Sequence, residues 1–292
     1  MNYAAQLRSG GLPERWQLLS LIGIGENNRN RIVAVLRAYI DDTGTHDKPG
    51  QQYGQQPGSD VTGAVGYVAT VPGWGKFDRD WRVALKDEGI GAKDFHAFDL
   101  QWKTEAFDGW SDTRRDAFVE RLSKIINRHL MFGVGGLVLA QDFDKMPQGF
   151  KHEIKHPYFI GVHNLLNQFI SGPFVPELQG RKVNFFFERM KPFFESEVAL
   201  AFDRIRDVKA SHVLGKITLG GDKATMLPLH AADLAAYHVR AEVSRLHYKP
   251  QLAIRPAMEA LKKRYRLSLT YSDRDTLRDL YFQMVIERAR RA

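Results

Sequence analysis

A nearly unbroken apolar run, Ile32 to Ile40 (IVAVLRAYI), constrains this chain more than any other feature, and it stops abruptly at Asp41-Asp42-Thr43-Gly44. A segment so apolar and β-branched suits a strand covered on both faces, hence a central strand of a sheet. The stretch from Asp47 to Asp60 is rich in Gly, Gln and Pro and reads as a loop. Val61 to Val71 (VTGAVGYVATV) reads as a second strand, so the loop makes the two an antiparallel hairpin. Trp74 to Glu88 spaces Phe77, Trp81 and Leu85 four apart, which predicts a helix, and Phe95 to Leu100 alternates as a short third strand.

Beyond this point helix and strand patterns alternate. Ser111 and Asp112 offer N-caps for a helix running to about His129, with Phe118, Leu122, Ile125 and Ile126 on one face. The glycines from Gly133 to Gly136 lack any phosphate-loop or dinucleotide spacing and read as a turn before a strand, Leu137 to Ala140. A helix from Tyr158 to Ile170, a strand from Val183 to Phe187 and a helix from Phe193 to Val208 follow. Phe185, Phe186, Phe193 and Phe194 read as core residues rather than a base-stacking platform. Leu214 to Leu219 is a strand, and Pro228 opens a helix through Val239 at a position where its missing N–H costs little. A last helix starts at Ser272, with Asp275 as a capping-box-like partner. The expected fold is α/β, a mixed sheet with helices on its faces. Residues 1–30 read as a variable extension, 31–245 as the domain and 246–292 as a basic helical appendage.

Composition removes several chemistries. Without cysteine there are no disulfides, thiolate zinc sites or thiol nucleophiles. The expected location is cytoplasmic and no membrane partner is expected, because no apolar run reaches a bilayer's width. The patch from Trp16 to Ile24 lacks the basic start and cleavage site of a signal peptide. From Arg240 to Ala292 thirteen Lys and Arg face six Asp and Glu, so this segment holds nearly all of the net charge of +8. Such a segment suits nucleic-acid phosphates, and it equally suits a solvated helical face with counter-ions.

Carboxylates mark the candidate site. Asp41 follows the carboxyl end of the central strand, the edge where ligands collect in open α/β sheets; taken alone, an Asx turn or cap explains it better. Glu188 ends the apolar run Asn184-Phe185-Phe186-Phe187, with Arg189 beside it as an ion-pair partner. Asp233 shares a helix face with Leu229, His230, Ala236 and Tyr237, so it points toward the core, where a lone carboxylate needs a counter-charge. Three such groups together suit a hard cation such as Mg²⁺.

The order of these pieces resembles the bacterial domain-of-unknown-function family numbered thirty-eight hundred, whose members open with a strand ending in Asp-Glu-Ser-Gly. The likeness runs from about Arg37 to Glu242. It takes in Ala38-Tyr39-Ile40-Asp41-Asp42-Thr43-Gly44-Thr45-His46, Gly66-Tyr67-Val68-Ala69, Phe95-His96-Ala97-Phe98-Asp99, Phe187-Glu188, Asp222-Lys223 and Pro228-Leu229-His230-Ala231-Ala232-Asp233-Leu234-Ala235-Ala236-Tyr237. The resemblance implies a ribonuclease-H-like fold with Mg²⁺ or Mn²⁺ on Asp41, Glu188 and Asp233, and Asp222 and Lys223 as a further polar pair. Asp42 and Thr43 depart from the family's Glu and Ser, and His230 from its usual Gln. The implied activity is hydrolysis of nucleic-acid phosphodiesters with two metal ions about 3.5–4 Å apart, Lys223 contacting a phosphate as a point charge. Asp42, His96, Asp99 and His230 are accessory candidates. On an ideal strand His96 and Asp99 point to opposite faces, so both reach one site only where the strand ends between them.

Two other motifs compete. His152-Glu153-Ile154-Lys155-His156 matches the zinc-protease pattern, but Pro157 disfavours helix at His156 and the stretch reads as a basic loop. Asp41-Asp42-Thr43-Gly44-Thr45 resembles the aspartyl nucleophile of haloacid-dehalogenase-like phosphatases, although a hairpin partner stands where that fold needs a crossover helix. A non-catalytic protein that keeps the fold and binds nucleic acid or protein is the third reading.

Overall fold

The computed structural model describes residues 35–43, 61–248, 250–254, 258–259 and 266–291. The expectations for residues 1–34, for the loop from Asp47 to Asp60 and for Gly44 onward in the first motif lie outside the described residues. Among the described residues six strands form one sheet in the order β5-β4-β1-β2-β3-β6. They are β1 (Leu36–Asp42), β2 (Val61–Thr70), β3 (Phe132–Leu139), β4 (Val183–Glu188), β5 (Leu214–Gly221) and β6 (Leu267–Ser272). The β1–β2 pair is the expected antiparallel hairpin, and β2 also runs antiparallel to β3. The pairs β1–β4, β4–β5 and β3–β6 are parallel, so β2 alone is reversed.

Helices of the described residues that accompany the sheet include α1 (Val71–Asp87), α2 (Ala97–Trp102), α3 (Asp112–His129), α4 (Pro157–Ser171), α5 (Pro192–Ile205), α6 (Pro228–Tyr248) and α7 (Arg274–Arg291). Strand alternation sorts the core into two layers. Leu36, Ala38 and Ile40 of β1, with Phe185 and Phe187 of β4, pack under α4 and α5. Tyr39 faces the opposite layer with Trp74, Phe77 and Trp81 of α1, Leu122 and Ile126 of α3, and Leu229, Leu234 and Val239 of α6. Ser111 caps α3 by accepting from the Arg114 N–H at 3.2 Å.

Several sequence expectations are corrected. Phe95 to Leu100 is not a strand: α2 starts at Ala97, burying Ala97 and Leu100 three apart while Phe98 and Trp102, four apart, face out. Gly133 to Gly136 is not a turn but the first half of β3, buried throughout. There the missing side chains allow close packing. A Cβ on Gly136 would lie 2.0 Å from the Gly161 carbonyl of α4, and one on Gly161 would lie 2.7 Å from the Gly63 Cα. Helix α4 therefore rests directly on the β2 and β3 backbones. The stretch before α4 is a short helix, Gln148–Ile154, which ends at Lys155 with φ 67°. His156 lies beyond it and caps α4, its Nδ1 accepting from the Tyr158 N–H at 3.1 Å, so His152 and His156 do not share one helix. Phe193 is 49% exposed rather than core, whereas Phe185 and Phe194 are buried.

The C-terminal segment is not solely helical. Leu267–Ser272 extends the sheet as β6, in register from Gly133↔Leu267 to Val138↔Ser272. Ser272 thus ends a strand, and Asp273 caps α7, accepting from the Thr276 N–H at 3.0 Å and its Oγ1 at 2.8 Å. Part of the basic charge is spent on surface pairs, Arg288 with Glu153 and Arg266 with Glu177. No helix of the described residues is long and apolar enough to cross a membrane.

Candidate metal centre

Strand parity and register bring the first two carboxylates together. Since Leu36, Ala38 and Ile40 face α4 and α5, Asp41 must face the α6 side, at the carboxyl end of β1. In β4 Phe185 and Phe187 take the α5 side, which turns Glu188 toward α6 as well. The ladder Leu36↔Val183 to Ile40↔Phe187 sets Asp41 and Glu188 at the next step along neighbouring strands. Asp233 comes from the second turn of α6, whose Leu229 and Leu234 anchor it on this face. The Ala97 N–H at the start of α2 donates to Asp233 Oδ2 at 2.9 Å. Phe95 and His96 are still extended, and the helix begins at the residue that makes this contact.

Lys223 unites the three. Its ammonium lies 3.0 Å from Asp41 Oδ2, 3.0 Å from Glu188 Oε2 and 3.3 Å from Asp233 Oδ1. All three carboxylates therefore converge on one point. Their side-chain exposure rises from 3% at Asp41 through 16% at Asp233 to 24% at Glu188, so the cluster opens to solvent on the Glu188 side. Asp42 points toward the other face of the strand end. Its carboxyl oxygen still lies within 4.8 Å of those of Asp41 and Glu188, close enough for the three to share one cation. Arg189, expected beside Glu188 as its partner, is exposed; its backbone N–H donates to the Gly221 carbonyl at 2.9 Å.

The electrostatics are unbalanced. Three carboxylates face one ammonium, and a fourth lies close by. Burial pushes the Asp41 carboxyl well above its ordinary range, Lys223 opposes this, and a hydrogen bond with Glu188 together with the Asp233 charge adds to it. Burial alone would lower the Lys223 pKa, but Asp41, Asp233 and Glu188 outweigh it and raise that pKa above the usual lysine value. Excess negative charge in a mostly buried site is what a divalent cation relieves. The donors are all carboxylate oxygens, the set that suits Mg²⁺ or Mn²⁺.

The other sequence candidates fall outside this cluster. Asp222 is exposed and folds onto its own turn: Oδ1 accepts from the Ala224 N–H at 2.9 Å, and its carbonyl accepts from the Thr225 and Met226 N–H groups. Adjacent turn residues point different ways, so Asp222 faces out where Lys223 faces in. His96 is exposed, and Asp99 Oδ1 accepts from Thr104 Oγ1 at 2.9 Å. Both line a surface recess with Lys93, Asp94 and Glu105. His230, 0% exposed, is not a ligand. Its Nδ1 accepts from Trp81 Nε1 at 3.1 Å and its Nε2 lies 3.0 Å from the Lys223 carbonyl, while burial lowers its pKa to about 4. The sequence reading did not include Trp81 in the site; the signal was a buried indole whose N–H requires a partner.

Compared with known proteins, the chain matches no family model and no curated relative.

Proposed function

We propose that the chain is a metal-dependent nuclease of ribonuclease-H-like architecture, hydrolysing nucleic-acid phosphodiesters at the Asp41–Glu188–Asp233 cluster with Mg²⁺ or Mn²⁺. The observation that carries this reading is the convergence of the three carboxylates on Lys223 at 3.0–3.3 Å, at the carboxyl edge of the sheet. The sheet order around β1, with β2 alone reversed, supports the architecture, as does the family resemblance of the sequence. A bound divalent cation would supply Lewis-acid polarisation of a phosphoryl oxygen. Asp41, Glu188 and Asp42 would hold it, with Asp233 joined to them through Lys223. Lys223, on the same carboxylates at 3.0–3.3 Å, would offer its ammonium to a phosphate oxygen as a point charge. Net positive charge over the chain favours a polyanionic partner.

The phosphatase alternative has less support. Strand β1 pairs antiparallel with β2, the next described strand, where that fold needs a parallel partner. Cleavage of labelled single-stranded and duplex DNA and RNA with Mg²⁺ or Mn²⁺ tests the proposal. Activity in the wild type that vanishes in Asp41→Asn and in Asp233→Asn supports it; activity that persists in either variant refutes it.

A further inference from the structure

Lys223 reaches its three carboxylates at the end of a flexible four-carbon stem, so the aim of its ammonium depends on where its backbone is held. The turn from Asp222 to Leu227 is closed on itself by the Asp222 hydrogen bonds, which say nothing of its position relative to α6. Backbone bonds from the Leu229 and His230 N–H groups to the Met226 and Leu227 carbonyls hold the end of the turn to α6, and at Lys223 itself one buried side chain supplies the tie. Trp81 Nε1–H is a donor only, so His230 Nδ1, 3.1 Å away, accepts. The ring proton of the neutral imidazole is then on Nε2, which donates to the Lys223 carbonyl at 3.0 Å. The ring plane is set by Phe95, stacked at 4.8 Å and 23°. Two residues after Phe95, the Ala97 N–H holds Asp233. Helix α1, the start of α2, α6 and the Lys223 turn thus meet at a single imidazole that touches none of the three carboxylates in its hydrogen bonds.

We propose that His230 is a positioning residue for Lys223, with Trp81 fixing its tautomer, so that the Trp81–His230 pair aims the ammonium at Asp41, Glu188 and Asp233. The inference rests on Lys223 belonging to the site and does not depend on the site cutting nucleic acid. Glutamine can meet both demands, its oxygen accepting from Trp81 and its NH₂ donating to the Lys223 carbonyl, whereas phenylalanine meets neither.

Lysine-¹⁵Nζ NMR of the full chain, without divalent cations or nucleic acid, provides the test. The wild type should show a slowly exchanging ammonium signal that is missing in Lys223→Met. His230→Gln should keep that signal and His230→Phe should lose it, with the backbone amide spectrum otherwise native. Where His230→Phe does not fold, Trp81→Phe, which removes the indole donor and leaves a smaller buried ring, should show faster exchange of the Lys223 signal in a chain whose backbone amide spectrum is otherwise native. A wild-type signal retained in folded His230→Phe, or unchanged in Trp81→Phe, overturns the proposal. So does its loss in folded His230→Gln. A chain that passes this test and cleaves nothing refutes the nuclease reading alone.

Discussion

Two groups of ion pairs in this molecule use the same residue types to opposite ends. Along α1 and α3, Arg114 meets Glu88 at 2.8 Å and Arg82 meets Asp78 at 2.9 Å, with roughly half of each arginine side chain in water. Each pair is balanced, one charge to one, and solvent screens it. At the edge of the sheet, Lys223 meets three carboxylates at similar distances, but its side chain is only 12% exposed and the charges do not balance. Equal distances therefore do not mean equal energies. A surface pair typically contributes 0–1 kcal/mol, while removing one partner of a buried set strands the others and costs about 3–5 kcal/mol. The surplus negative charge also gives the buried cluster a use for a cation that the surface pairs lack.

The largest effect expected from this contrast follows loss of the lysine. Lys223→Met should lower unfolding free energy by about 3–5 kcal/mol in cation-free buffer, read by urea denaturation, with part of the loss restored by millimolar Mn²⁺. A change no larger than that of a surface variant would erase the distinction between the two regions. Next is a pH effect. His230 stays neutral in the folded protein, with a pKa of about 4 against an ordinary 6.5. As pH falls from 6.5 toward 4, the unfolded chain gains a proton that the folded chain refuses, so stability is lost. Relative to His230→Gln, the wild type should lose on the order of 3 kcal/mol across that window; parallel pH profiles would show that His230 is not held neutral. Arg114→Ala should be the mildest, at about 0–1 kcal/mol, with a difference that shrinks further in 1 M salt. A larger, salt-insensitive cost would place that pair in the buried class.

How much of this was legible in the sequence depends on the element. β1 and β4 were readable because strands covered on both faces are apolar almost throughout, and their ends, Asp41 and Glu188, follow directly. Asp233 was readable from its apolar helical neighbours. Lys223 was expected at the site, but its contact with all three carboxylates was not, since no local pattern reports where a loop lysine ends. Asp222 was misplaced for the same reason. The short apolar stretch at Phe95 to Leu100 fits both a strand and a helix period; it is extended at Phe95 and His96 and helical from Ala97, where the N–H meets the distant Asp233. In β3 the glycines looked like punctuation because their purpose, the close approach of Gly161, lies in a distant helix. β6 carried a readable alternation, Leu267, Leu269 and Tyr271 on one face, that its basic surroundings obscured.

The central claim is that the buried cluster binds a divalent cation through its carboxylates. Mn²⁺ titration of the purified chain, followed by electron paramagnetic resonance, tests it most directly. Expected is saturable Mn²⁺ binding that is abolished in both Asp41→Asn and Glu188→Gln, that strengthens as pH rises because burial raises the Asp41 pKa and a cation competes with its proton, and that is unaffected by Arg114→Ala. Failure of the wild type to bind Mn²⁺ at millimolar concentration, or binding that is unchanged in Asp41→Asn, would contradict it.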